Sequence, residues 1–180
     1  YVAYLDPASG GDASSLAILD ARSGVHVLGL FGRVNVTNFT LEACRIAARY
    51  NTALLGIENN GMGVSAVQAA LKMYRYPNLY QERDPKNVQK MQDHGLNING
   101  ELKGQIHDLC WRDLDSGRLS SPCRETIDAM RNYDPKTDHW PDRVAALFGA
   151  NWIRGRKWDS LMNIRDGRTA RRVEGVYIGR

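Results

Sequence analysis

Apolar and polar positions change rhythm along this chain, and each rhythm predicts a different element. Val2 to Asp6 is a short apolar run that ends at the turn-forming stretch Pro7-Ala8-Ser9-Gly10-Gly11-Asp12. Two more β-rich runs, Ser15 to Ala21 and Val25 to Val34, meet across Ser23-Gly24, which predicts a three-stranded meander. The period then lengthens. Behind Asn38, a residue suited to capping, Phe39, Ala43, Ile46 and Tyr50 recur at helical spacing. Ala53 to Glu58 reads as a compact strand, and Gly61-Met62-Gly63 opens a helix with Val64, Val67 and Leu71 along one side. Strand, helix, strand, helix after a meander implies an α/β protein with a mixed central β-sheet flanked by α-helices.

From Arg75 to Asn99 the chain is polar and irregular, with a short strand expected at Asn78 to Gln81. Leu102, Ile106, Leu109, Cys110 and Leu114 mark an amphipathic helix stopped by Asp115-Ser116-Gly117. Ser121 before Pro122 is a helix start, with Cys123, Ile127 and Met130 on one face. Pro141 opens a last helix through about Trp152, with Val144, Leu147 and Phe148 as its core stripe.

Composition narrows the class. The 180 residues are 43% hydrophobic and 24% charged, a globular balance that excludes a disordered, collagen-like or disulfide-stapled chain. The net charge of +4 is concentrated, because Arg156 to Arg180 carries seven basic residues against three acids. The expected division is therefore one domain over 1–154 and a basic tail over 155–180. Such a tail, with Arg168, Arg171 and Arg172, suits a polyanion, since phosphates exchange counterions for cationic side chains whatever the base sequence. Cys44, Cys110 and Cys123 include no C-x-x-C pair, which fits reduced thiols. No apolar run reaches the ~20 residues that span a bilayer, and the expectation is a cytoplasmic protein. The chain begins at Tyr1 inside an apolar run, as a domain excised from a larger protein would.

The acids at element ends carry the candidate chemistry. Asp6 closes the first strand, Glu58 closes the strand after the first helix, and Asp142 sits in the first turn of the last helix. In a mixed α/β sheet these positions converge on one edge. Three converging carboxylates stay ionised together only with a cation between them, and an all-oxygen donor set suits Mg²⁺ or Mn²⁺. Two such ions stabilise the attacking and the leaving oxygen of an in-line phosphodiester displacement. Asp142, Ala145, Ala146 and Gly149 form a small-residue face that lets the last helix lie close to the sheet. Read singly, Asp6 is also a turn initiator, Glu58 a salt-bridged strand end and Asp142 an acid favoured by the helix dipole.

Three stretches, Tyr4-Leu5-Asp6-Pro7-Ala8-Ser9-Gly10-Gly11-Asp12, Gly56-Ile57-Glu58-Asn59-Asn60-Gly61-Met62-Gly63 and Pro141-Asp142-Arg143-Val144-Ala145-Ala146-Leu147, resemble the nuclease domain of tailed-phage large terminase subunits. That family belongs to the RNase H-like nucleases, and the resemblance runs from Tyr1 to about Gly149. It implies an RNase H-like fold. It also implies an endonuclease that cuts concatemeric double-stranded viral DNA during genome packaging, in the host cell cytoplasm. Carried onto this sequence, Asp6, Glu58 and Asp142 become the catalytic ligands of two Mg²⁺ or Mn²⁺ ions, with Asp12 an accessory acid and Asp138 a fallback ligand. The family's ATPase motor needs a G-x-x-x-x-G-K-[ST] loop, and no Gly-Lys dipeptide occurs here. The motor domain, the small terminase subunit and the portal protein are then implied partners.

Other residues fill secondary roles. Lys103 and Arg143, with the tail arginines, are expected to hold DNA phosphates without reading base sequence, which means low specificity. His139, three residues before Asp142, is a candidate to orient water or contact phosphate. G-x-S-x-G is absent, so a nucleophile-elbow hydrolase is disfavoured. Two other readings stay open: a Holliday-junction resolvase-like nuclease of the same fold, and a non-catalytic DNA-binding packaging module with structural carboxylates. An actin-like phosphate-binding fold would need a second glycine-rich loop, which is not seen.

Overall fold

β1 (Val2–Asp6) lies inside the main sheet, antiparallel to β2 (Ser14–Leu19) on one side and parallel to β4 (Leu54–Ile57) on the other. β3 (His26–Gly32) pairs antiparallel with β2, giving the order β3-β2-β1-β4. The computed structural model behind this description covers residues 1–8, 12–83, 91–134, 137 and 140–165. The expected meander and mixed sheet are present. β2 ends at Leu19, earlier than expected, because the Asp20 carboxylate accepts the Arg22 and Ser23 amides at 3.0 and 2.8 Å and closes the turn there.

Alternation along β1 divides the core. Ala3 and Leu5 face α1 (Val36–Arg49) and α2 (Gly63–Gln68), with Leu16, Ile18, Leu55 and Ile57. Val2 and Tyr4 face the opposite layer of α3 (Gly100–Asp115) and α5 (Asp142–Arg165), with Ala17, Leu19, Leu147 and Phe148. Tyr4 is fully buried, and a Cβ on Gly149 would collide with its ring. The small-residue face of α5 therefore lies directly on β1, as its spacing predicts.

Several boundaries differ from expectation. Asn35, not Asn38, caps α1, because Asn35 stands just outside the first turn and its side chain accepts the Thr37 and Asn38 amides. α2 passes into a π-helical turn, Ala69–Tyr74; Ala66, Val67 and Ala70 are buried, and Val64 is exposed. α4 (Arg124–Arg131) starts after Cys123, because the Ser121 hydroxyl is engaged by the His26 ring at 2.8 Å and accepts the Cys123 amide. α5 runs 24 residues, well past Trp152, since nothing between Trp152 and Arg165 stops it; the boundary expected at 154/155 falls inside it.

The stretch expected to be irregular guards the edge of β4. Tyr80 N–H donates to Leu55 O at 2.8 Å and Leu96 N–H donates to Ile57 O at 2.8 Å, so short segments beside Leu79 and Leu96 extend the sheet. Between them lies a hairpin of β5 (Gln81–Arg83) and β6 (Met91–His94). The strand expected at Asn78 to Gln81 is thus a single bridge at Leu79 followed by β5.

Candidate active site

Parallel pairing of β1 with β4 sends Asp6 and Glu58 off the same sheet edge. The register is locked there by Glu58 N–H donating to Leu5 O at 3.0 Å. Asp142 arrives from the other layer at the start of α5, where the helix dipole favours an acid. Asp6, Asp12, Glu58 and Asp142 line one cleft of about 370 Å³ together with Lys103 and Trp140. The three acids expected to meet, and the accessory Asp12, are brought together.

Their charges act on one another across the cleft. The Asp6 carboxyl is pushed from 3.8 up to about 8, first by burial, then by the neighbouring charges of Glu58 and Asp142. Glu58 is raised as well, by burial, against the lowering effect of hydrogen bonds from Asp6 and Asn60 and the charge of Lys103. The Asp6 carboxyl therefore holds its proton more tightly than an ordinary carboxyl does. Among the described residues, no three Asp, Glu, His or Cys side chains are gathered as a formed metal site. The donor set itself is all hard oxygen, which fits Mg²⁺ or Mn²⁺, and a cation would relieve the repulsion that the proton now relieves.

A second set of residues holds this arrangement, and sequence reasoning missed most of it. Asn60 Nδ2 donates to Glu58 Oε1 at 3.2 Å and to Ile98 O at 2.7 Å, tying the acid to the segment before α3. Gly95 adopts φ of +99°, and a Cβ there would stand 2.7 Å from Ile57 O, so only glycine lets Leu96 pair with β4. Lys103 Nζ sits 5.3 Å from the centre of the Trp140 ring at the cleft wall. The Asn59-Asn60 pair beside Glu58 and the His94-Gly95 turn were the available signals.

Other expected residues lie elsewhere. Arg143 stacks on Phe31 of β3, 4.3 Å from the ring centre, and is not among the residues lining the cleft. Asp138, His139, Arg168, Arg171 and Arg172 lie outside the described residues.

The sheet order, the two helical layers and the acids at one sheet edge define an RNase H-like α/β fold. Solved structures give that class a narrower form. The large terminase nuclease from thermophilic phage G20c, with bound zinc, aligns at a TM-score of 0.64 and 16% identity, over 83% of this chain and 79% of that one. The large terminase nuclease domain of Thermus phage P74-26 aligns at 0.59 and 16% identity, over 83% and 77%. The human cytomegalovirus terminase nuclease domain, manganese-soaked and inhibitor-bound, aligns at 0.54 and 14% identity, over 84% and 81%. No family model and no curated protein matches the sequence. This chain has the fold of the terminase nuclease domains.

Proposed function

We propose that this chain is a metal-dependent endonuclease that cleaves double-stranded concatemeric viral DNA during genome packaging, with low sequence specificity. One observation carries the reading: four carboxylates, from the end of β1, the segment before β2, the end of β4 and the start of α5, line a single cleft, and Asp6 among them is pushed up to about 8 by burial and by Glu58 and Asp142. Burial and neighbouring negative charge that together raise a carboxyl in a cleft are what a catalytic acid cluster produces. The terminase nuclease structures support the substrate class, and several of them carry zinc, magnesium, cobalt or manganese.

Asp6, Glu58 and Asp142 would hold two divalent cations, with Asp12 as an accessory acid. Bound there, the cations supply Lewis acidity to both oxygens of the phosphodiester exchange, so no side-chain nucleophile is needed. Asn60 holds the Glu58 carboxylate in place through the transfer. Lys103, on the cleft wall beside Trp140, would meet a non-bridging phosphate oxygen. Arg143 and the basic residues after Arg156 would hold flanking phosphates. Among the described residues no helix is long and apolar enough to cross a membrane, and a host-cytoplasmic setting beside the ATPase motor, small terminase subunit and portal protein fits the reading.

Plasmid cleavage tests it directly. Wild type is expected to linearise supercoiled plasmid with Mn²⁺ or Mg²⁺ and to do nothing in EDTA, while Asp6→Asn, Glu58→Gln and Asp142→Asn stay folded and inactive. Metal-independent DNA binding without cleavage under any cation, even with the motor domain added, would leave the non-catalytic module instead. A preference for four-way junctions over linear duplex would favour the resolvase reading.

A further inference from the structure

A second, larger hollow opens at the far end of α5. Asp142 and Arg154 are twelve residues apart on that helix, about 18 Å at ~1.5 Å per residue, so the hollow and the acidic cleft occupy opposite ends of the sheet. Its volume is about 870 Å³, and all five of its cations are arginines: Arg22, Arg112, Arg118, Arg154 and Arg156, against Asp108 and Asp113.

The base of the hollow is rigid and already binds a carboxylate. Asp113, 6% exposed, accepts Arg118 Nε and Nη2 on Oδ1 at 2.9 and 2.7 Å. Its Oδ2 accepts Asn151 Nδ2 at 3.0 Å and Arg154 Nη2 at 3.3 Å. Arg154 also donates to Asn151 Oδ1 and Arg118 O, both at 2.9 Å, which fixes the guanidinium. Above this base, Arg22 and Arg112 are exposed on the rim and form no ion pair among the described residues. Apolar surface lies between the cations. Leu109, Ala21 and Trp152 contribute to the lining, and the buried Trp152 Nε1 has no acceptor among the described residues.

We propose that this arginine-rimmed groove docks a carboxylate-rich segment of a partner protein that also carries apolar side chains. Guanidinium forks match carboxylates two bonds at a time, and Asp113 demonstrates the match at the base of the same groove. A concave, partly apolar hollow accepts side chains of an extended peptide; the phosphates of a duplex stand on a convex rod and reach only its rim. The chain's own segment after Arg156 is excluded by charge, with seven basic residues against three acids from Arg156 onward. A second copy presents its exposed acids dispersed among cations, as at Glu42 beside Arg45 and Asp128 between Arg124 and Arg131, and not as a carboxylate-rich run.

Fluorescence anisotropy with the full chain in EDTA tests the proposal. The probe is a fluorescein-labelled peptide of repeated Glu-Glu-Leu units, beside a Gln-Gln-Leu control and a short DNA duplex. The Glu peptide is expected to bind in preference to the Gln peptide, and Arg112→Glu and Arg22→Glu are each expected to weaken it about tenfold. Duplex binding is expected to fall by less than peptide binding in both, since phosphates meet the rim alone. Asp108→Asn, which removes an exposed acid from the groove, is expected to strengthen peptide binding about threefold, a gain that misfolding cannot produce. The proposal fails if the Glu peptide binds no better than the Gln peptide, or if the rim variants leave its affinity unchanged. It also fails if duplex displaces the peptide, which would make the groove a nucleic-acid site. Self-association abolished by Arg112→Glu in sedimentation, without peptide binding, would replace the partner with a second copy of the chain.

Discussion

Asp6 and Asp113 are both largely buried carboxylates, yet their surroundings are opposites. Asp113 is enclosed by Arg118, Arg154 and Asn151, so its charge is met within the fold. Asp6 faces Glu58 and Asp142, and it keeps a proton well above the usual carboxylate range. The first acid stabilises the protein, while the second is a source of instability that the fold tolerates. Repulsion of that kind persists where something outside the chain resolves it, and this separates a candidate metal centre from a structural ion pair more firmly than acidity alone.

The difference can be broken deliberately. Asp6→Asn is expected to cut metal-dependent plasmid cleavage by at least about 10³-fold, measured as initial rate, while leaving the chain folded. Asp113→Asn does the reverse: with Arg118 and Arg154 left facing a neutral amide, urea unfolding should report a loss of about 3 kcal/mol. Equal effects of the two substitutions on stability would erase the distinction.

Acidity sharpens it. The unfolded chain releases the Asp6 proton near 3.8, whereas the folded chain holds it to about 8, so the folded state binds more protons between those values. Stability of the metal-free protein therefore falls as pH rises from about 4 to about 8. Asp6→Asn is expected to flatten that slope, and added Mn²⁺ to reverse its loss at pH 8, both read by thermal unfolding. The smallest effects come from the two amides that clamp these acids. Asn151→Ala, fully buried beside Asp113, should cost about 2 kcal/mol in urea unfolding. Asn60→Ala should cost about 1 kcal/mol or less and appear instead as a several-fold weaker Mn²⁺ dependence of cleavage.

Legibility followed locality. β1, the meander and α3 could be read because their period is set by which residues alternate toward the core, and Asp6, Glu58 and Asp142 stood out because they end such elements. The β4 edge was not legible. Leu79 and Leu96 pair along the β4 edge from either side of a hairpin, and nothing in a polar stretch announces which of its residues will close a distant edge. The cap at Asn35 instead of Asn38 and the late start of α4 have the same origin: one or two hydrogen bonds, from the Thr37 amide to Asn35 or between Ser121 and the His26 ring, chose between nearby candidates.

What the amino-acid order determined by itself was the alternation of strand and helix, the close-packing face of α5 and the identity of the three acids, because each depends on neighbours a few residues away. Tertiary structure decided that those acids line one cleft, that Asn60 clamps Glu58, and that Arg118 and Arg154 meet Asp113 in a hollow lined by three more arginines. Charge acts through space, and only the folded chain sets which charges are near.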